Sequence, residues 1–332
     1  MPTTQQLQDF TQQVRRDILR MVHKVNSGHP GGSLGCAEFF TCLYQEVMEY
    51  STDFTMDGNN EDLFFLSNGH ISPVYYSVLA RSGFFPVEEL NTFRLIDSRL
   101  QGHPTTHEGL PGVRIASGSL GQGMSVALGA AEAKKLNGDD KLVYSLHGDG
   151  ELQEGQNWEA IMYASAKKID NIIATIDLNG KQIDGGTDDV LPMGSLKAKF
   201  EAFDWLVVEI EDGNNVDGLI GAAMETVGKL YMNLYRTGKP REALLDSLFA
   251  AGMQKNIEIQ LIIGTLLSEV AAINSDQYKK ILARMLKIAA TSTNNKVRGS
   301  SSVWLAIFVS RFPIDDVNEL DRLHGTLAGL LR

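Results

Sequence analysis

Two oxygen-bearing side chains follow two apolar segments of the chain, and together they could bind a metal ion. Residues 141–146 read as a buried strand that runs into Gly148-Asp149-Gly150. Residues 171–176 form a second apolar run, and a polar loop with Asn179 follows it. If the two strands are parallel, both loops lie at the edge where open parallel sheets bind ligands. Asp149 and Asn179 would then offer hard oxygen ligands to magnesium or calcium.

The glycines beside Asp149 point to a phosphate group as a second ligand. Gly148 and Gly150 carry no side chain, so backbone amides in this loop can approach a phosphate closely. The alternative is a pair of Asx turns, because Asp, Asn and Gly favour turns whether or not a ligand binds. Since short motifs often match by chance, the metal and phosphate hypothesis depends on the joint spacing of the two loops.

Helical and strand-like segments alternate along the first two thirds of the chain and predict an α/β fold. Apolar residues at three- and four-residue steps indicate an amphipathic first helix over residues 7–25. Further helices are expected near 37–48, from 72 onward, and over 122–136, 156–168 and 216–230, with strands at 63–66, 141–146, 171–176 and 205–210. We predict a doubly wound, mostly parallel sheet with helices on both faces, in a domain of residues 1–235.

The remaining residues, 236–332, are predicted to form a helical tail whose role the sequence does not identify. Helical periods cover residues 257–273, 278–290 and 317–331, and a basic and polar break lies at 291–299. One interpretation is a small helical appendage that packs on the core, as apolar helical stripes commonly do. The other is a divergent carboxyl end that leaves a ligand pocket incomplete.

Composition restricts the classes of function. The chain has 332 residues, of which 43% are hydrophobic, enough for one large core and a smaller unit. A net charge of -11 and no dominant basic stretch argue against nucleic-acid binding as a main role. Cys36 and Cys42 read as reduced core residues. The polar opening residues contain no signal peptide or membrane span, so we expect a cytoplasmic protein that does not bind membranes.

Four more loop motifs join the GDG and Asn pair and carry a family resemblance. A GDG motif followed about thirty residues later by Asn is the thiamine diphosphate signature. The motifs SGHPGGSLG (27–35), LSNGH (66–70), QGHP (101–104) and ASGSLGQG (116–123) resemble transketolase blocks, in transketolase order. The resemblance covers roughly residues 5–230 and is strongest to the separate amino-terminal half of split transketolases. It implies the thiamine diphosphate-binding fold.

This resemblance implies two bound groups, thiamine diphosphate and a divalent metal, which would be Mg²⁺ or alternatively Ca²⁺ or Mn²⁺. The implied metal ligands are the side chains of Asp149 and Asn179 and the backbone carbonyl of Lys181. The implied cofactor-binding residues are His70, Gly121, Gly123, Gly150 and Asn179. Among these, Gly150 would donate its amide to the diphosphate, and Gly121 and Gly123 would let the backbone approach the thiamine ring.

The implied catalytic residues are His29, His103 and Glu154. His29 would contact the substrate and help to move protons, whereas His103 would bind hydroxyls of the sugar donor. Glu154 would join the subunit-interface network that connects paired active sites, although a carboxylate near a helix start also suits the helix dipole. His70 would touch the diphosphate, and His147 would line the diphosphate pocket or lie behind it. Thr105 stands where many full-length transketolases carry Glu, so substrate contacts at that edge are expected to differ.

The implied reaction moves a two-carbon ketol unit from a ketose phosphate to an aldose phosphate, as in the pentose phosphate pathway. Two parts that the resemblance calls for are missing. The Lys-Gly-Lys-Gly type block with its histidine does not follow residue 231, and the glutamate that activates the aminopyrimidine belongs to a pyrimidine-binding domain that this chain lacks. We therefore expect the chain to work with a partner, a separate carboxyl-terminal subunit, in a dimer of heterodimers.

Two alternatives remain open. Another thiamine diphosphate enzyme, such as a deoxyxylulose-phosphate synthase or a dehydrogenase alpha subunit, would share the cofactor motifs but not the ordered SGHPGG, SNGH and GHP blocks. A non-catalytic relative would keep the fold and bind a partner through the unusual tail. Cofactor binding distinguishes the second alternative from both enzymes.

Overall fold

The computed structural model describes residues 2–236, 257–273 and 275–292, together with positions 245, 246, 248, 249 and 304. The described residues divide into two compact units. The first unit is Leu7–Glu209, and the second comprises the described residues before Leu7 and those from Ile210 onward. The division into domains at residue 235 stays a prediction.

A parallel three-stranded sheet lies at the centre of the first unit. Its strands are β1 (Leu63–Leu66), β2 (Val143–Gly148) and β3 (Ile172–Asp177), in the order β1-β2-β3. Leu63 pairs with Val143, and Gly148 pairs with Asp177. The carboxyl ends of all three strands therefore lie at one edge, as the sequence predicted. The predicted α/β fold with a parallel sheet is confirmed.

Helices of the first unit begin and end close to the predicted positions. The longer elements are α1 (Thr4–Val25), α2 (Pro30–Gly35), α3 (Ala37–Cys42) with the π-helix Leu43–Val47, α4 (Ser72–Arg81), α5 (Gly123–Leu136) and α6 (Gly155–Lys167). Short elements follow β3: the strands β4 (Lys181–Gln182) and β5 (Gly185–Gly186), then α7 (Thr187–Val190) and α8 (Leu196–Ala202). Three 3₁₀-helices span Gly69–Ile71, Val87–Thr92 and Gly150–Gln153.

Each face of the sheet is covered by a different set of helices, because successive strand residues point to opposite faces. On one face Phe65 and Val143 pack into a core with residues of α5 and α6 such as Leu128 and Ile161. On the other face the ring of Phe64 lies 5.3 Å from Phe40 of α3 and 5.4 Å from Tyr75 of α4. Helices on both faces leave only the strand ends available for ligands.

The predicted strand at residues 205–210 was wrong. This segment is not assigned to a strand and pairs with no strand in the structure. The indole of Trp205 donates a hydrogen bond to the carbonyl of Ile161 at 3.1 Å and packs edge-on against Phe200. The segment is therefore held by side-chain packing against α6 and α8, and an apolar run in the sequence does not distinguish such packing from a β ladder.

Most of the described residues of the second unit are helical. It contains α9 (Val216–Arg236), α10 (Ile257–Ala271) and α11 (Ser275–Thr291). Ile263, Leu267 and Ile281 are fully buried, which agrees with the predicted apolar helix faces. The helix predicted at 317–331 lies outside the described residues. In the part of the chain that the structure describes, no helix is both long and apolar enough to cross a membrane.

Candidate functional site

Three loops meet at the carboxyl edge of the sheet. Ser67-Asn68-Gly69-His70 follows β1, Asp149 follows β2, and Leu178-Asn179 follows β3. The parallel register places Gly148 opposite Asp177, so the second and third loops start side by side. Cys36 directly follows α2, and its thiol lies against the Asp177 carboxylate. Burial raises the pKa of this thiol, and Asp177 raises it further. This contact places the SGHPGGSLG segment at the same edge.

Asp149 is anchored by the backbone around it. Its side chain is buried, and its Oδ1 accepts a hydrogen bond from the Gly150 amide at 2.8 Å. Its Oδ2 accepts from the Gly180 amide at 2.7 Å, across from the loop after β3. Burial raises the pKa of this carboxyl and the two amides oppose that rise. The carboxylate thus ties the first predicted loop to the second.

The loop after β3 brings the other predicted metal ligands to Asp149. Asn179 accepts a hydrogen bond from the Lys181 amide at 2.9 Å and donates one to Asp177 at 2.8 Å. The carbonyl oxygen of Lys181 lies close to Gly150. If Gly150 had a β-carbon, that carbon would be 3.5 Å from the Lys181 oxygen. A carboxylate, an amide oxygen and a carbonyl oxygen therefore share one corner, which is the all-oxygen donor set that Mg²⁺ and Ca²⁺ prefer.

Nitrogen and sulfur ligands do not gather into a rival metal site in the described part of the chain. No group of three or more His, Cys, Asp and Glu side chains is arranged there to hold a metal. The predicted oxygen set contains only one such side chain, Asp149, so it does not depend on a cluster of that kind. The donor types of these residues fit a hard divalent cation, which would need further oxygen ligands from another source.

Several buried polar atoms at this edge have no hydrogen-bond partner among the described residues. They are Asn68 Oδ1, Ser117 Oγ and Gln182 Nε2. Gln182 packs on Gly150, and a β-carbon added to Gly150 would lie 2.6 Å from the β-carbon of Gln182. Ser117 packs on Gly69 in the same way. Buried polar atoms are nearly always hydrogen-bonded, so a polar ligand would satisfy these exceptions. Ser117 Oγ and Gln182 Nε2 can donate to a phosphate oxygen, whereas Asn68 Oδ1 can only accept.

The three predicted active-site histidines lie together. The ring centroids of His29 and His70 are 5.1 Å apart in an edge-on arrangement. Burial lowers the pKa of His70 to about 4, with smaller contributions from His29 and His103. Burial also lowers the pKa of His103, followed by the charge of Arg94 and by His29. His70 is therefore neutral near pH 7, and His29 and His103, which are exposed, can reach a substrate.

Arg94 also belongs to this cluster, although no motif in the sequence pointed to it. Its guanidinium donates a hydrogen bond to Ser27 Oγ at 2.8 Å and packs against Gly102. A β-carbon added to Gly102 would lie 2.7 Å from the central carbon, Cζ, of this guanidinium. Its backbone has a left-handed φ of 57°, a strained conformation for a residue with a side chain. The signal that could have identified it is the need for a local cation, since an acidic chain must supply one to hold an anionic sugar.

The predicted cofactor glycines are placed by contacts within the protein. The Gly121 amide donates to Glu151 Oε1 at 2.7 Å, and the Gly123 amide donates to Ser67 Oγ at 3.1 Å. The Gly150 amide donates to Asp149. Glu151, which the sequence analysis did not single out, is 2% exposed. No periodicity reveals it, because its role depends on loops far apart in sequence.

Glu154 and His147 occupy contrasting positions. Glu154 is exposed at the start of α6, and its side chain makes no capping hydrogen bond there. His147 is fully buried, its Nε2 lies 2.9 Å from Ser145 Oγ, and burial lowers its pKa to about 3. His147 therefore lies behind the loops as a neutral side chain rather than on the surface of a pocket.

Sequence comparison identifies relatives of one kind. Residues 7–230 match the family model described as transketolase, thiamine diphosphate binding domain. The chain is 37% identical over 245 residues to the 6-deoxy-6-sulfo-D-fructose transketolase subunit of Clostridium sp. (strain MSTE9). The aligned region covers 71% of this chain and 86% of the relative. It is 36% identical to one of the subunits of the apulose-4-phosphate transketolase of Actinobacillus succinogenes, over 75% of this chain and 86% of that one.

Solved structures agree on the fold. Transketolase from Campylobacter jejuni is 26% identical with a TM-score of 0.61, over 93% of this chain and 56% of that chain. Transketolase from Leishmania mexicana is 23% identical with a TM-score of 0.62, over 92% of this chain and 55% of the other. The chain thus spans about half the length of the solved transketolase chains that it matches.

Proposed function

The chain belongs to the transketolase family, through its amino-terminal thiamine diphosphate-binding domain, and from this premise we propose that it is the diphosphate-binding subunit of a two-chain transketolase. The proposed reaction transfers a two-carbon ketol unit from a ketose phosphate to an aldose phosphate. The observation that carries the proposal is the placement of the Asp149 loop, the Asn179 loop and the His29 and His70 loops around one sheet edge.

In this proposal a divalent metal, Mg²⁺ by preference, and the cofactor diphosphate occupy the corner beside Asp149. Asp149, Asn179 and the Lys181 carbonyl would hold the metal. Ser117 Oγ and Gln182 Nε2 are unpaired donors that would bind diphosphate oxygens. Thiamine diphosphate, when bound, supplies the carbanion chemistry, and the protein supplies orientation and proton transfer.

The histidines would act on the sugar. His29 and His103 are exposed beside the neutral His70, so their ring nitrogens can bind hydroxyls and exchange protons with them. Arg94 provides a cation beside His103, which suits a sugar with an anionic group. The names of the relatives, with a sulfo sugar in one and a sugar phosphate in the other, support an anionic sugar as the substrate class.

The proposal includes a partner subunit with the pyrimidine-binding domain, in a dimer of heterodimers in the cytoplasm. Two relatives are named as subunits of transketolases and match along most of their length, which supports a two-chain enzyme. The glutamate that activates the aminopyrimidine would come from that partner. Glu154, exposed near the cofactor loops, would face a second subunit.

The test measures cofactor binding and activity with the chain alone and with the partner. Calorimetry with thiamine diphosphate and Mg²⁺, followed by ketol transfer assays on sugar phosphates, is expected to give activity only when a pyrimidine-domain subunit is present. Activity of the chain alone would contradict the two-chain proposal. Absence of cofactor binding in both samples would support a non-catalytic relative instead.

A further inference from the structure

Glu151 lies where three loops of the cofactor site meet. It is the second residue of the 3₁₀-helix Gly150–Gln153, and its side chain is turned inward and buried. Its Oε1 accepts hydrogen bonds from Ser67 Oγ and from the Gly121 amide, the latter at 2.7 Å. Its Oε2 accepts from the Gly148 amide at 3.2 Å. One carboxylate therefore connects the end of β1, the loop before α5 and the end of β2.

Ser67 extends this connection by one more hydrogen bond. Its hydroxyl donates to Glu151 and also accepts from the Gly123 amide at 3.1 Å. Gly123 and Ser67 are in close contact, because a β-carbon on Gly123 would lie 2.7 Å from the Ser67 Cα. Both glycines of the SLGQG segment are consequently held by the Glu151 and Ser67 pair.

The carboxylate of Glu151 forms no ion pair with a Lys or Arg among the described residues. The basic side chain beside it is His147, whose Nδ1 lies 3.8 Å from Oε2, too far for a hydrogen bond. Three hydrogen-bond donors compensate the carboxylate instead. An arrangement of this kind costs free energy relative to an apolar core of the same shape, so packing alone does not explain it.

We propose that Glu151 is a positioning residue of the cofactor site. It acts through the backbone of Gly121 and Gly148, and so sets the loops against which the thiamine ring and the diphosphate would lie. This inference rests on the proposed function, because it concerns the same site. The Glu151 side chain is buried and bonded to protein groups, so its proposed contribution is the geometry that the loops have before the cofactor arrives.

The main test compares Glu151→Gln with a matched variant of another buried glutamate. Gln keeps the shape of Glu but replaces one acceptor oxygen by an NH₂ group, which cannot accept from Ser67, Gly121 or Gly148. We expect thiamine diphosphate affinity with Mg²⁺, measured by calorimetry, to weaken by about tenfold to a hundredfold. Hydrogen exchange in residues 116–124 is expected to accelerate in the same variant.

Glu61→Gln is the control. Glu61 is 7% exposed, lies before β1 at the opposite end of the sheet, and binds Arg114 and the Ser51 amide. Its substitution should lower the unfolding midpoint but leave cofactor affinity within about twofold, because the two sites share no partners. Should Glu151→Gln fail to fold, Ser67→Ala removes the bridge to Gly123 and tests the same geometry.

The outcomes separate this inference from the proposed function. If the wild-type chain binds no cofactor, with or without its partner, the proposed function fails. If the wild type binds and Glu151→Gln binds equally well, or if Glu151→Gln and Glu61→Gln weaken binding to the same extent, Glu151 has only a structural role and the inference is overturned. Equal affinity of Ser67→Ala and wild type would overturn it as well.

Discussion

The Asp149 carboxylate combines a structural and a proposed ligand role. Its two oxygens accept from the Gly150 and Gly180 amides, at 2.8 and 2.7 Å, so the side chain already has one orientation without a ligand. Each oxygen keeps a further lone pair for a metal. A ligand set held in place by hydrogen bonds binds with less loss of conformational entropy, which is the physical advantage of this loop arrangement.

Substitution of Asp149 by Ala tests the metal assignment. We expect Mg²⁺-dependent binding of thiamine diphosphate to fall by at least about a hundredfold while the protein stays folded. Calorimetry gives the affinity, and circular dichroism verifies the fold. Asp170→Ala, which removes an ion pair with Lys135 at the opposite end of β3, is the control and should bind like the wild type. Unchanged binding in Asp149→Ala would exclude this metal site.

The buried His147 predicts a pH dependence of stability. Its pKa is lowered from 6.5 to about 3, so the unfolded chain takes up this proton below about pH 6.5 while the folded chain does not. Proton uptake by the unfolded state lowers the free energy of unfolding as pH falls, and the loss continues until about pH 3. Between pH 7 and pH 5, His147 is expected to lower the free energy of unfolding by about 2 kcal/mol.

His147→Gln should therefore show a smaller loss of stability between pH 7 and pH 5 than the wild type, in urea titrations at both pH values. Ser145→Ala is the control, since it removes the hydrogen-bond partner of His147 but no titrating group. That variant is expected to lower stability by a similar amount at both pH values. Equal pH slopes for wild type and His147→Gln would contradict the prediction.

At the scale of elements, the amino end of α5 must lie directly on the end of β1. Gly123, the first residue of α5, packs on Ser67 so closely that a β-carbon would lie 2.4 Å from the Ser67 Cβ. Close approach of backbone to backbone is the reason for glycine here, since Gly123 has an ordinary helical φ. This contact brings the SLGQG segment to the carboxyl edge of the sheet.

Gly123 and Gly129 of α5 should respond to alanine in opposite directions. Gly123→Ala must displace Ser67 and is expected to destabilise the protein by about 1–3 kcal/mol. Gly129 is exposed in mid-helix with no atom within 4 Å of an added β-carbon, so Gly129→Ala should stabilise it by about 0.5–1 kcal/mol. Urea unfolding measures both values, and a shift of the same sign in both variants would refute the explanation.

At the scale of the whole molecule, the described residues divide into two compact units. Ile161 is fully buried against the sheet in the first unit, and Leu267 is fully buried in α10 of the second. Compact units of this kind can lose protection from hydrogen exchange one at a time.

A pair of matched truncations tests this division. Leu267→Ala and Ile161→Ala are each expected to cost about 2–5 kcal/mol, because each leaves a cavity in a packed core. In hydrogen-exchange mass spectrometry, Leu267→Ala should accelerate exchange in α9, α10 and α11 and leave β1, β2 and β3 protected. Ile161→Ala should do the reverse. Loss of protection in both units from either substitution would mean that they unfold as one.

Much of the fold could be predicted from the sequence because its signals are local. Apolar runs at 63–66, 141–146 and 171–176 correspond to β1, β2 and β3, and helical periods located α1, α5 and α6 to within a few residues. The same reasoning failed at 205–210, since an apolar run indicates which side chains can be buried and not whether the backbone has a strand to pair with. Pairing is a tertiary property.

The site divides in the same way. The sequence by itself determined the residue types, the ordered motifs and the family resemblance, because GDG, Asn179 and the histidine loops are short and contiguous. Only the tertiary structure decided that the Gly180 amide holds Asp149, that Arg94 joins His103, and that Glu151 connects Ser67, Gly121 and Gly148. Hydrogen bonds act over about 3 Å in space, and no spacing along the chain specifies which distant loops will come that close.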